Sequence, residues 1–208
     1  MDRPPPLPTH PDVRIEAEDR VWDGRFPLDR IRFRHRRFDG GFSGARTWEL
    51  WRRGRAAAML PYDPVQDVVV LIEQFRLPAL AAGLPPVQIE VPAGLCDAGE
   101  TAEATIRREI GEETGLTAGR LRKIGDILAC PGGADELVTL FVGEITAPGA
   151  DAGGQYGLAS EDEDIRLLVW PAERACAAAL EGGIVNSVAV VALLWLNAAR
   201  ERLRMEWA

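Results

Sequence analysis

The sequence predicts a layered α/β (α+β) domain with an antiparallel β lobe added at its N-terminal end. Three observations carry this. Short alternating runs dominate the first quarter of the chain, buried-looking β-branched runs recur beyond residue 56 around one helical pattern, and the last third closes in two more helical patterns. At 208 residues the chain can bury a substantial core, as one domain with an added lobe.

Residues 1–11, MDRPPPLPTHP, are proline-rich and predict a tail without regular structure. They lack the basic start and apolar middle of a secretory signal. Residues 12–55 alternate in IRFRHRRF and TWELWRR around the turn-forming Asp39-Gly40-Gly41, which marks the β lobe. The main sheet draws on AAAMLPYD, DVVVLIEQF and VQIEVPAG. Between Thr101 and Thr114, helical spacing of Ala102, Thr105, Ile106 and Ile110 predicts a helix that Gly115 stops. Strands return at LRKIGDIL, LVTLFVGEI and DIRLLVW, parted by the turn PGGADE and a loose glycine-rich segment at 147–163. A helix from about Pro171 to Glu181, with proline in its first turn, and a longer apolar one from Asn186 to Arg204 then cover the sheet.

A net charge of −8 argues against a large nucleic-acid surface, which needs clustered lysine and arginine. No run of apolar residues is long enough for a membrane span. Residues 30–37, RIRFRHRR, are an exception in charge, and two readings stand: a solvated strand face, or a local patch for a small phosphorylated ligand. Cys96, Cys130 and Cys176 are odd in number and widely spaced, which implies a reducing, cytoplasmic compartment. His10 and His35 are too few for a zinc site or a catalytic triad.

The chemistry concentrates in GLCDAGETAEATIRREIGEETGL, residues 94–116. At about 100° per residue, Glu113 lies about 40° to one side of Glu109 and Glu112 about 60° to the other, so three carboxylates share one helix face. Crowded like charges raise carboxyl pKa values unless a cation lies among them, and oxygen donors suit a hard ion, magnesium or manganese. Arg108 adjoins the arc and can pair with Glu100 or a helix carboxylate. An acidic face by itself is ordinarily just solvated.

The whole frame argues otherwise: Gly94, five residues, Glu100, seven residues, then Arg108-Glu109-Ile110-Gly111-Glu112-Glu113-Thr114-Gly115-Leu116. This resembles the Nudix box at each defining position. The resemblance implies a Nudix α/β/α sandwich with a mixed sheet over residues 56–208, and a magnesium-dependent hydrolase of nucleoside diphosphates. By that resemblance Glu109, Glu112, Glu113 and the carbonyl of Ala93 hold the metal, while Glu112, Glu113 and Arg108 belong to the catalytic set.

LIEQFR, ACPGGADE with Pro131, GLASEDEDIR and the closing helix are similar to the ADP-ribose pyrophosphatase branch of that family. That likeness implies Glu161 as the base on a mobile loop and Glu163 as its metal-side helper; the loop's acidic tip would otherwise read as solvated surface. It further implies substrate contacts at Arg76, Arg53, Glu49, Leu95, Cys130 and Glu136. A homodimer built through residues 12–55 would bring Arg25 and Phe26 to the partner's substrate. Two departures from the branch are Trp48, where a basic residue is expected, and Cys130, where serine is. Trp48 has three readings: adenine stacking, core or dimer interface. The rival substrates are sugar nucleotides such as GDP-mannose, and a non-catalytic nucleotide sensor is the reading from another class.

Overall fold

A computed structural model of the chain describes residues 4–149, 155–157 and 163–207. The proposed base Glu161 lies outside the described residues. Two compact units emerge: one holds the chain up to Arg55 together with Leu128–Leu137, and the other holds Ala56–Ile127 and the remainder from Val138.

In the first unit β1 (Val13–Trp22), β2 (Leu28–His35) and β3 (Arg46–Trp51) form an antiparallel three-stranded sheet. The basic run lies on β2, and acidic residues of the preceding chain neutralise it: Arg30 pairs with Asp19, Arg32 and Arg34 share Glu16, and Arg36 pairs with Asp12. The phosphate-patch reading of residues 30–37 therefore gives way to a ladder of cross-strand ion pairs. Trp48 is about half exposed and meets Phe33 edge-on at 5.1 Å, which removes the core reading for it. The segment 128–137, expected to belong with the main domain, joins this unit: Gly133 accepts from the Trp51 N–H at 2.8 Å, and Trp51 bridges Ala134 in parallel.

A buried charge network ties the unit together. Arg52 donates to Asp135 at 2.7 Å, to Asp29 at 3.0 Å and to the Pro5 carbonyl at 2.7 Å, while Arg20 reaches Asp29 at 2.7 Å. The Pro5 contact anchors a tail whose composition predicted no structure. Burial pushes the Asp29 carboxyl up, but its bonds to Arg20 and Arg52 outweigh this and hold it below the ordinary aspartate range.

The second unit is a mixed sheet of eight strands between helices. Its strands are β4 (Arg55–Asp63), β5 (Val68–Phe75), β6 (Val87–Glu90), β7 (Ala93–Leu95), β8 (Leu121–Leu128), β9 (Leu137–Glu144), β10 (Gln155–Tyr156) and β11 (Ile165–Pro171). The path runs β10-β11-β5-β4-β9-β8, with β6 beside β5 and β7 beside β4. β4 is buried from Ala56 to Asp63 because helices cover both of its faces. Ala57 and Met59 pack with Ile106 and Ile110 of α2 (Ala102–Thr114). Ala58, Leu60 and Tyr62 pack with α3 (Ala172–Leu180) and α4 (Ser187–Trp207).

Three local features depart from the sequence reading. A short helix α1 (Leu77–Ala81) follows β5, the loose segment contains β10 paired to β11, and Pro171 is the N-cap of α3 and not part of its first turn. Among the described residues no helix is long and apolar enough to cross a membrane.

Candidate active site

α2 starts where Thr101, in extended conformation, accepts the Ala104 N–H with its side chain. It ends where Gly115 enters the left-handed region at φ 68° and donates to Gly111. Its apolar stripe of Ile106 and Ile110 packs into the core with β4, and this orientation brings Glu109 and Glu113 against β7.

Glu113 is almost wholly buried and accepts the Ala93 N–H at 3.0 Å. Burial is the main force pushing its carboxyl up, to about 8; the Ala93 bond opposes this, and the charges of Glu109 and Glu163 reinforce it. Burial also raises Glu109. Arg108 spans three carboxylates: it donates to Glu100 at 3.2 and 3.3 Å, to Glu109 at 2.8 Å and to Glu112 at 2.9 Å. The Arg108 bonds, with the Thr105 hydroxyl beside them, hold the Glu100 carboxyl down at about 2.

Gly94 explains itself here. A Cβ at this position would lie 1.8 Å from Glu109 Oε1, so the β7 backbone serves as the floor on which that carboxylate rests. Gly94→Ala must displace Glu109, and kcat/KM should fall about 10²-fold, the scale of loss for a misplaced active-site group. A variant with wild-type kinetics would disprove the packing role.

Among the described residues, no three His, Cys, Asp or Glu side chains already converge as an ion-holding group, since Arg108 occupies Glu109 and Glu112 while Glu113 turns to Ala93. The donor chemistry nevertheless fits a hard divalent cation. Every candidate ligand is an oxygen, and the protonation pressed on Glu113 is what a bound cation reverses.

Arg76 follows β5 and is held by Glu90 of β6, with contacts at 3.2, 3.2 and 2.8 Å. Leu95 ends β7, opposite Ala56. Glu163 receives a 3.4 Å contact from the Gln74 amide and shares charge interactions with Glu109 and Glu113. Gln74 and Glu90 escaped the sequence reading. The available signal was a polar residue within an otherwise buried strand.

In the other unit, Arg53 stacks its guanidinium 4.0 Å from the Phe26 ring centroid and 4.8 Å from that of Trp51, and donates to Glu136 at 3.0 Å. Asp135, unnoticed in the sequence, accepts the N–H groups of Arg53 and Gly54 at 2.6 and 3.1 Å and so fixes that strand end. Arg25 lies 5.6 Å from the Phe26 ring. Two other predicted contact residues do not join this group in the described structure: Glu49 is exposed on β3 opposite Arg30, and Cys130 is exposed at the turn.

The family model described as the NUDIX domain matches residues 52–177, more than half of the chain and all of the carboxylate helix. The chain belongs to the Nudix family. This Nudix protein is 44% identical over 197 residues to the ADP-ribose pyrophosphatase of Escherichia coli K12, covering 95% of this chain and 93% of that one. The ADP-ribose pyrophosphatase of Haemophilus influenzae is 38% identical over 199 residues, 94% of this chain and 91% of the other. A GDP-mannose pyrophosphatase of Enterobacter sp. strain 638 is 39% identical, over 72% of this chain and 76% of its own. The crystal structure of an ADP compounds hydrolase matches the Nudix fold with a TM-score of 0.64 at 20% identity, covering 92% of this chain and 98% of that one.

Proposed function

We propose that this Nudix enzyme hydrolyses ADP-ribose to AMP and ribose 5-phosphate with magnesium. The observation that carries the reading is coverage. The likeness to ADP-ribose pyrophosphatases runs through 95% of the chain, β lobe included, whereas that to the GDP-mannose enzyme runs through 72%.

Glu109, Glu112, Glu113 and Glu163, with the Ala93 carbonyl, are the groups that would hold the divalent ion. When bound, the cation neutralises charge on the diphosphate and lowers the pKa of an attacking water. Arg108 keeps the helix carboxylates oriented through its bonds to Glu100, Glu109 and Glu112, two of which would be exchanged for a bound ion. Arg76, preset by Glu90, meets a phosphate oxygen with its planar guanidinium. Glu161 takes the proton from water. Leu95, Arg53, Glu49, Cys130 and Glu136 contact the nucleotide. In a homodimer, Arg25 and Phe26 serve the partner's adenine, and Trp48 offers a further exposed ring.

The GDP-mannose reading keeps a place because that relative shares 39% identity over 151 residues of this chain. The test is AMP release from ADP-ribose with magnesium, beside GDP-mannose and beside Glu161→Gln. Turnover of ADP-ribose that the variant lowers by about 10²-fold or more supports the substrate and the base together. Cleavage of GDP-mannose alone would discard the substrate reading and keep the chemistry.

A further inference from the structure

Gln74 lies on the same β5 face as Ile72, opposite Gln88 of β6 and Ile165 of β11. It is 9% exposed, and its amide oxygen is buried without a hydrogen-bond partner among the described residues. An orphaned amide oxygen is a cost to folding that an aliphatic side chain of the same size would avoid. Its amide nitrogen is accounted for by the 3.4 Å contact to Glu163 Oε1. Exchanging the two amide atoms would set a carbonyl oxygen against that carboxylate, acceptor against acceptor, so Glu163 fixes the orientation. Glu163 in turn feels Glu109 and Glu113. A lysine or arginine in place of Gln74 would bring a cation to compete with a bound ion. A neutral amide can orient the carboxylate without doing so.

We infer that Gln74 is a positioning residue for the metal centre: it holds the Glu163 carboxylate from behind, at the expense of a buried polar atom that stability alone would not retain. The inference rests on the reading of Glu163 as a metal-side residue. It predicts opposite responses of stability and ion affinity to one substitution, which a merely structural residue would not give.

The experiment titrates the full chain with Mn2+ alone, following free ion by electron paramagnetic resonance, for wild type, Gln74→Met and Glu163→Gln. Thermal unfolding is measured in parallel without metal. Gln74→Met should keep or raise the Tm while binding Mn2+ about 10- to 100-fold more weakly, the usual loss when a group supporting a ligand is removed. Gln74→Leu gives the same comparison should methionine disturb packing. If the Gln74 variants bind Mn2+ like wild type while Glu163→Gln binds weakly, the inference falls and the reading of Glu163 survives. If Glu163→Gln binds like wild type, both fall. A Tm loss that accompanies the affinity loss would make Gln74 structural and overturn the inference.

Discussion

Glu113→Gln should lower kcat for diphosphate hydrolysis by about 10³-fold or more, since removing a proposed ion ligand forfeits several kcal/mol of charge stabilisation in the transition state. Folding should survive, because a neutral amide removes a buried acid whose ionisation is already resisted and can still accept the Ala93 N–H. The same carboxylate ties ion binding to pH. Its folded-state pKa, about 8, stands above the ordinary glutamate value. Without metal, its contribution to stability is present below the ordinary pKa and is lost as pH rises through about 8. Cation binding requires the ionised form, so affinity should climb about tenfold per pH unit up to that value, with release of about one proton. Calorimetry in two buffers of different ionisation enthalpy counts that proton. Binding that is insensitive to pH from 5 to 8, or full activity in the variant, would remove Glu113 from the ion site.

Arg52→Met should destabilise the β1-β2-β3 unit by about 1–3 kcal/mol, because it takes from the buried Asp29 one of its two arginine partners, leaving Arg20, and from Asp135 its only side-chain cation among the described residues, leaving the Arg53 and Gly54 N–H groups. Removing the pair together, as Arg52→Met with Asp29→Asn, should cost less than the first change alone. Asp29 is held below its ordinary pKa, so the network's contribution is full above that ordinary value and is lost as pH falls through the folded-state one. Urea unfolding at neutral and acidic pH tests both statements. A loss under 1 kcal/mol at neutral pH would mean that water reaches these carboxylates.

Much of the site was legible because its signals are local. The helix over 102–114 follows from apolar spacing and a glycine stop, and its ends stand where the sequence put them, with Thr101 added by the structure as the cap. The carboxylates share a face because they lie within one turn of each other. The family frame then supplied the chemistry that no helical period contains. Less was legible around Arg53, where contacts join segments far apart in the chain. Asp135 clamps Arg53 across more than eighty residues, and the turn that carries it belongs with the N-terminal strands and not with the strands that flank it. The basic run stayed ambiguous for a similar reason: composition reports the charge of a strand, while the register of β1 against β2 decides whether that charge is free.

By itself the sequence determined the family, the carboxylate helix with its boundaries and the run of strands that forms the main sheet, all set by short-range spacing or by an unbroken motif. Tertiary structure alone decided that Glu109 rests on the backbone at Gly94, that Arg108 spans three carboxylates at once, that burial drives Glu113 toward its protonated form, and that the Gln74 amide comes within 3.4 Å of Glu163. These depend on how deeply a group is buried and on what lies across the sheet from it. Strand register and helix packing settle both, and neither is written into the local order of residues.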